Sequence, residues 1–207
     1  MKRFLKLWSI FCISLLVGIF SERNLAWATS YTITDLGTLS GGTESYAYGI
    51  NDSGQVVGGA TIGAGYYHAF LYSGGVMQDI GTLPSENYSN AYGINNSGQV
   101  IGNSSPDANY WHAFLYSGGV MQDLGTLGGN ESSASGINDY GQVVGGSLIT
   151  GNSANHAFFY NGGVMTDLGT LPGGLGSSAN DINDSGQVVG SSTTSSGYGL
   201  PSFTVEV

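Results

Sequence analysis

Three histidines and four aspartates are the residues whose types and regular spacing could support metal chemistry. Each histidine begins a His-Ala-Phe sequence, and the three are 44 residues apart: His68, His112 and His156. Each aspartate begins an Asp-Leu-Gly-Thr or Asp-Ile-Gly-Thr sequence at the same spacing: Asp35, Asp79, Asp123 and Asp167. Three imidazoles are a common zinc-ligand set, and calcium requires six to eight oxygens around one point.

The equal spacing favours structural roles for all seven residues. If each repeat carries one copy, equivalent side chains lie far apart, and we expect each imidazole to hydrogen-bond to backbone or to the adjacent unit. An aspartate before a Gly-Thr turn usually caps the free N–H groups of that turn. We therefore predict no metal site, and calcium at the aspartates is the one cofactor that the pattern leaves open.

The repeat that carries these residues reads as four short strands. In the first copy they are Ala47–Asn51, Gln55–Ala60, His68–Tyr72 and Val76–Ile80. Asn-Asp-Ser-Gly separates the first two strands and Ser-Gly-Gly separates the last two, and both sequences are typical of tight turns. The Ile-Asn-Asp-Ser-Gly-Gln-Val-Val-Gly sequence or a close variant begins at four positions: Ile50, Ile94, Ile137 and Ile182. Four antiparallel strands in about 44 residues match the blade of a β-propeller.

The two ends of the chain predict how the repeats are completed. Tyr31–Leu36 aligns through Asp35 with the fourth strand of each unit, whereas the last unit supplies only its first three strands, with Phe203 at the His-Ala-Phe phenylalanine. We therefore predict an all-β, four-bladed propeller in which the N-terminal strand closes the last blade, removing exposed strand edges. An open β-solenoid and an incomplete ring finished by a second chain are the alternatives.

The loops before the third strands vary most between repeats, so ligand specificity is expected there. They contain five aromatic residues, which are Tyr66, Tyr67, Tyr110, Trp111 and Tyr198, with Asp107, Asn109 and Asn155 nearby. Aromatic rings beside amides and carboxylates can stack on a sugar and hydrogen-bond to it. The competing interpretation is packing between blades at the rim. Three glutamates are expected to be solvated residues of the connecting loops: Glu44, Glu86 and Glu131.

The N-terminus has the pattern of a bacterial signal peptide. A basic start precedes the apolar run Leu7–Phe20, and Ala26-Trp27-Ala28 has the spacing of a cleavage site. We expect residues 1–28 to be removed, which leaves 29–207 as the domain, with no membrane span. All four basic residues and the single cysteine lie before residue 29. Nucleic-acid binding, disulfides and thiol catalysis are therefore excluded for the mature chain.

The recurring sequences resemble those of the HAF-repeat family of bacterial extracellular repeat proteins. The matching sequences are DLGTL, INDSGQVVG and HAFLYSGGVMQDLG, and together they cover almost all of residues 31–207. The resemblance implies a secreted or periplasmic repeat domain and no particular reaction. No nucleophile motif or nucleotide-binding loop is present. We therefore expect a non-catalytic binding or surface-interaction module, with a glycan or cell-surface component as candidate partner. A small carbohydrate-active enzyme or a carbohydrate-binding propeller is the alternative.

Overall fold

The computed structural model describes residues 31–195, 199–201 and 205–206, in which four antiparallel four-stranded sheets make an all-β fold. Sheet 1 contains β1 (Ser45–Ile50), β2 (Val56–Thr61), β3 (Tyr67–Ser73) and β4 (Val76–Gly81). Sheet 2 contains β5 (Tyr88–Ile94), β6 (Val100–Ser105), β7 (His112–Ser117) and β8 (Val120–Asp123). Sheet 3 contains β9 (Gly128–Ile137), β10 (Val143–Ile149), β11 (Asn155–Asn161) and β12 (Val164–Gly169). Sheet 4 contains β13 (Ser177–Ile182), β14 (Gln187–Thr193), β15 (Gly199–Pro201) and β16 (Val205–Glu206).

The predicted turns explain why each repeat folds into a meander. Gly74 and Gly75 form a two-residue hairpin with φ values of 58° and 86°, which side chains disfavour and glycine accepts. In the first turn, Asn51 Oδ1 accepts hydrogen bonds from the backbone N–H groups of Ser53 and Gln55. The asparagine-capped turn recurs in all four sheets and the positive-φ glycine pair recurs in sheets 2 and 3, so sheets 1 to 3 have the same strand order.

The core lies between neighbouring sheets rather than inside any one of them. Between sheets 1 and 2 it contains Val57 and Ala69 from one side and Ala91, Val100 and Phe114 from the other. Equivalent clusters fill the spaces between sheets 2 and 3 and between sheets 3 and 4. Sheets 1 to 4 are thus joined in series by three apolar junctions, which explains why the second and third strands are apolar on both faces.

Sheets 4 and 1 lack a comparable junction in the described part of the chain. Ile50 of sheet 1 is 69% exposed, whereas its counterpart Ile182 of sheet 4 is 5% exposed. On sheet 4, Val189 is 44% exposed, whereas its counterpart Val144 is fully buried. Sheets 4 and 1 therefore each expose an apolar face, and the equivalent faces at the other three junctions are covered by the neighbouring sheet.

The closing strand predicted at the N-terminus is not observed. Residues 31–38 form no strand in the structure. A short β-segment is stable only when a neighbouring strand completes its hydrogen-bond ladder, and no described strand pairs with it. In sheet 4, β15 and β16 both pair with β14 and share the place of a third strand. Phe203 lies outside the described residues.

The signal peptide predicted over residues 1–28 also lies outside the described residues. Among the residues that are described, none belongs to a helix with the length and hydropathy needed to span a bilayer. Within the described ranges, the one helical element is a 3₁₀ turn at Thr150–Asn152, between β10 and β11.

Candidate functional site

The sheets have two ends with different character. One end carries the Asn-Asp-Ser-Gly turns and the Gly-Gly hairpins, and we call it the turn face. The other end carries the loop between the second and third strands and the connection to the next sheet, and we call it the loop face. Because the strands are antiparallel, the two kinds of connection separate to opposite ends in every sheet.

A chain of asparagine side chains links the sheets at the turn face. Asn51 Nδ2 donates to the backbone carbonyl of Asn95 at 3.0 Å. Asn95 Nδ2 donates in the same way to Asn138, and Asn138 Nδ2 donates to Asn183. The amide of Asn183 contacts only Gln187 of its own sheet and its own turn. The chain therefore runs in one direction through all four sheets and stops at the fourth.

The second residues of the same turns form a row of acidic and amide side chains. Asn96 Nδ2 lies 3.0 Å from Asp52 Oδ2 and 3.1 Å from Asp139 Oδ2 and donates to both. The backbone N–H of Asp139 donates to Asp184 Oδ1 at 3.0 Å. These turns and the preceding isoleucines line a cavity of about 360 Å³. Within the described ranges, no group of three or more His, Cys, Asp or Glu residues is arranged to hold a metal ion.

The predicted histidines bind the predicted aspartates within each sheet. Nδ1 lies 2.9 Å from an aspartate Oδ2 in the pairs His68–Asp79, His112–Asp123 and His156–Asp167. The prediction of a hydrogen bond to backbone or to an adjacent unit was therefore wrong in its partner. Each aspartate pairs with the phenylalanine two residues after the histidine, so the histidine and aspartate side chains lie on the same face of adjacent strands. The three pairs lie in three different sheets.

The aspartates also cap the turns that follow them. Gly37, Gly81, Gly125 and Gly169 each donate a backbone hydrogen bond to the aspartate two residues earlier. Burial alone would raise the pKa of Asp79, but the hydrogen bonds from His68 and from the Gly81 N–H outweigh it and hold the pKa below its ordinary value of 3.8. The aspartate oxygens therefore already accept hydrogen bonds from groups of the protein.

At the loop face, one groove recurs at each of the three sheet junctions. It lies between the start of the third strand of one sheet and the first two strands of the next. We number the grooves by junction: the first lies between sheets 1 and 2, the second between sheets 2 and 3, and the third between sheets 3 and 4. The repeat places Tyr67, Trp111 and Asn155 at equivalent positions in them, and Tyr88, Glu131 and Gly176 opposite. The three grooves therefore share a backbone frame and differ in the side chains that fill it.

Aromatic side chains of the protein itself fill the first groove. Tyr66 and Tyr88 make an edge-to-face contact with ring centroids 5.0 Å apart. The Tyr67 hydroxyl donates to Glu44 Oε2 at 2.7 Å, and this hydrogen bond raises the pKa of Tyr67 to about 12. Tyr66 and Tyr67, predicted as ligand contacts, are thus engaged with other residues of the chain, as the rim-packing interpretation requires.

The second groove brings an aromatic ring together with a carboxylate and an amide. Trp111, Glu131, Ser133 and Asn155 line a cavity of about 190 Å³ there. The backbone N–H of Ser132 donates to the Trp111 carbonyl at 2.8 Å and fixes the two sheets against each other. The half-buried Glu131 carboxylate accepts no hydrogen bond from the described residues. This groove therefore offers a ring surface beside an acceptor that has no protein partner.

The loop before β7 sets the orientation of Trp111. Its indole Nε1 donates to the Ala108 carbonyl at 3.2 Å, and Ala108 itself has a φ of 64°. Asp107 Oδ1 accepts the Asn109 N–H at 3.0 Å, and this hydrogen bond lowers the pKa of Asp107. A positive φ at a residue other than glycine requires such local support. The hydrogen bonds of this turn therefore fix the orientation of the Trp111 ring.

The third groove is the most open of the three. Ala154 and Asn155 take the places of the aromatic pairs, and Gly176 takes the place of Tyr88. The cavity measures about 400 Å³ and is lined by small polar residues and by Leu175, which is 80% exposed. Asn155 lines both this cavity and that of the second groove.

Two predicted residues contribute no lining to these cavities. Tyr110 is half exposed next to Trp111, and Tyr198 lies outside the described residues. Glu131 was expected to be a solvated loop residue, but it belongs to β9 and lines the second groove. Glu44 occupies the same repeat position and instead accepts a hydrogen bond from Tyr67 of its own sheet. The sequence carries a signal for the place of Glu131, since Glu131 and Tyr88 occupy the same repeat position and both face the aromatic loop of the preceding sheet.

Comparisons with known proteins give no family for this chain. No family model matches it, and no curated protein matches it. Among solved structures, it is similar to TolB from Acinetobacter baumannii, with a TM-score of 0.47 and 14% sequence identity. The similarity covers 76% of this chain and 42% of the TolB chain, so the chain spans less than half the length of that protein.

Proposed function

We propose that this chain is an exported, non-catalytic binding module that recognises a saccharide at the second groove. The observation that carries the proposal is the convergence of Trp111, Glu131, Ser133 and Asn155 on one cavity between two sheets. An indole ring provides a flat apolar surface for one face of a sugar ring, and the neighbouring oxygens and amide bind its hydroxyl groups.

Charge selects a neutral saccharide over an acidic one. Residues 29–207 contain no lysine or arginine, whereas they keep all acidic residues of the chain except Glu22. An anionic polymer would meet net repulsion and no cationic partner. A neutral glycan avoids this repulsion and can donate its hydroxyl hydrogens to Glu131.

A binding measurement with matched variants tests the proposal. We expect the mature protein to bind a member of a printed array of neutral glycans and Trp111→Ala to weaken that binding at least tenfold, equal to about 1.4 kcal/mol. Tyr140→Ala removes a 75% exposed tyrosine on the turn face and should leave binding unchanged. Full binding by Trp111→Ala would refute the role of the second groove.

The same panel tests the non-catalytic assignment. Glycoside hydrolysis ordinarily uses two carboxylates on either side of one bond, and Glu131 is the one carboxylate that lines the second groove among the described residues. We therefore expect no release of reducing ends from the bound glycan. Release that is lost in Glu131→Gln would identify an enzyme instead.

We further propose that the four sheets close into a four-bladed propeller. Sheet 1 already carries one half of a fourth junction, in which Leu39, Val56, Phe70 and Met77 repeat the pattern of Leu83, Val100, Phe114 and Met121. The segment before sheet 1 is also built as a connection between sheets. Gly37 donates to Asp35 as Gly81 does to Asp79, and Ser45 Oγ donates to Gly37 O as Ser89 Oγ does to Gly81 O.

A cysteine pair tests this closure, because residues 29–207 contain no cysteine. Val205 pairs with Val188 as Tyr72 pairs with Val56, and Tyr72 pairs with Met77, whose repeat equivalent is Ile33. Ile33→Cys with Val205→Cys should therefore form an intramolecular disulfide on oxidation, and Val120→Cys with Val205→Cys should not. Disulfide-linked dimers would instead support a ring completed by a second chain.

Export is the third part of the proposal. It is supported by the basic start, the apolar run and the Ala26-Trp27-Ala28 site of the sequence. Mass spectrometry of the protein from the bacterial periplasm or medium should find Thr29 as the first residue. A chain retained in the cytoplasm with residues 1–28 intact would refute it.

A further inference from the structure

We infer that the third groove is a second saccharide subsite and that the ligand is an oligosaccharide lying across both grooves. This inference rests on the proposed function of the second groove and extends it. The third groove has the same backbone frame, an open volume of about 400 Å³ and, among the described residues, no aromatic side chain in its lining. Its volume lies within the range of small-molecule sites, which is about 300–1,000 Å³.

The hydroxyl groups that line the third groove fall into two sets. Ser177 Oγ accepts the Ala157 N–H of β11, and Ser192 Oγ and Thr193 Oγ1 accept N–H groups of the connection between sheets 3 and 4. The hydroxyl groups of Ser153, Ser178 and Ser191 have no hydrogen-bond partner among the described residues. The first set makes the wall rigid, and the second set is free to bind the hydroxyl groups of a sugar.

Asn155 makes the two grooves continuous. Its Nδ2 donates to the Ser177 carbonyl across the junction at 2.8 Å, which fixes the side chain. Gly146 permits this position, since a Cβ there would lie 2.6 Å from Asn155 Nδ2. The side chain lines both cavities. A chain of sugars that leaves Trp111 toward sheet 4 therefore meets Asn155 and then Leu175, whose exposed apolar side chain suits the face of a second ring.

The first groove shows how the third can be closed without disturbing the second. Tyr66 and Tyr88 fill the first groove, and their repeat equivalents in the third are Ala154 and Gly176. Gly176 has no positive φ, and a Cβ there would lie 3.2 Å from the Asn155 carbonyl oxygen, a close contact that needs only a small shift. The double variant Ala154→Tyr with Gly176→Tyr should therefore block the third groove alone.

Titration with oligomers of defined length tests the inference. The probes are maltose-, cellulose- and N-acetylglucosamine-type oligomers of two and six units, measured by calorimetry on the mature chain. In the series that binds, we expect the wild type to bind six units at least tenfold more tightly than two. The double tyrosine variant should bind both lengths with the two-unit affinity. Ser191→Trp, which fills the groove from β14, should give the same result.

The outcomes separate this inference from the proposed function. If no oligomer binds the wild type, the saccharide function itself fails. If two units bind and six units bind equally well, or if six units keep their affinity in both filled variants, the second groove is a complete site and the third groove is no subsite. Loss of two-unit binding in a variant that keeps the wild-type melting temperature would show that the grooves are not separate subsites.

Discussion

The turn face and the loop face are built from the same repeat, but the residues and contacts of the turn face repeat more closely than those of the loop face. At the turn face, each asparagine of the chain Asn51, Asn95, Asn138 makes the same bond to the next sheet. At the loop face, equivalent positions hold a tyrosine pair, a tryptophan beside a glutamate, or small residues alone. The difference shows which end carries the assembly of the sheets and which end is free to vary for binding.

The largest effect should come from breaking the turn-face chain. Asn95→Ala leaves the Ser97 and Gln99 N–H groups without their partner and removes one of the two hydrogen bonds that the Asn138 carbonyl accepts. The loss should lower the free energy of unfolding by about 3 kcal/mol. A closed ring gives Asn183 the same role toward Asn51, so Asn183→Ala should cost nearly as much. Urea denaturation measures both. A loss of only about 1 kcal/mol for Asn183→Ala contradicts closure.

Filling the third groove should stabilise the protein, whereas breaking the turn-face chain should destabilise it. Ala154→Tyr with Gly176→Tyr rebuilds the contact between Tyr66 and Tyr88, and an edge-to-face pair is worth about 0.5–1.5 kcal/mol. We expect a higher melting temperature by calorimetry, with Gly176→Ala as the control for the loss of glycine. A lower melting temperature in the double variant alone would show that the grooves are not equivalent.

Charge in the turn-face row gives a smaller effect that depends on salt. Asn96→Asp removes the two donors to Asp52 and Asp139 and places a third carboxylate between them. The melting temperature should fall at low ionic strength and recover as sodium chloride screens the repulsion. Asn96→Ser is the uncharged control. A melting temperature of Asn96→Asp that does not change with salt would mean that these carboxylates are too solvated to interact.

Acid should produce the smallest change, because the Asp79 side chain is 40% exposed and partly screened by solvent. The folded protein holds the pKa of Asp79 below 3.8. The stability that this carboxylate contributes is therefore complete above that value and is lost as the pH falls through the folded pKa. Asp79→Asn should flatten the acid limb of the unfolding curve below about pH 4, measured by circular dichroism. An unchanged acid limb would contradict a stabilising ion pair with His68.

The strands were predictable because the repeat supplies both turn chemistry and spacing. Ala47–Asn51 was expected and Ser45–Ile50 is observed, and the hairpin at Gly74–Gly75 lies where the sequence places it. Local signals of this kind need no knowledge of neighbouring sheets. The N-terminal closing strand is not observed, and local signals cannot decide it, because a strand at the start of the chain depends on a partner at its end.

The candidate site was predictable only in part. Trp111 was identified from its residue type and loop, whereas Glu131 was assigned to solvent because the Trp111 that shares its groove belongs to the preceding sheet. The pair His68–Asp79 was missed because its residues lie on different strands, and their contact follows from the register that pairs Phe70 with Asp79. Contacts across a junction depend on how two sheets pack, and the order of residues in one repeat does not specify this.

The one-way direction of the asparagine chain has a consequence for the order of assembly. Each asparagine side-chain amide donates to a backbone carbonyl about 44 residues later in the chain. An N-terminal sheet that folds first therefore has an unpaired amide until the next sheet supplies its acceptor. A polypeptide synthesised from its N-terminus delivers those acceptors in the same sequence. The architecture therefore suits stepwise folding, in which each new sheet supplies the acceptor for the sheet before it.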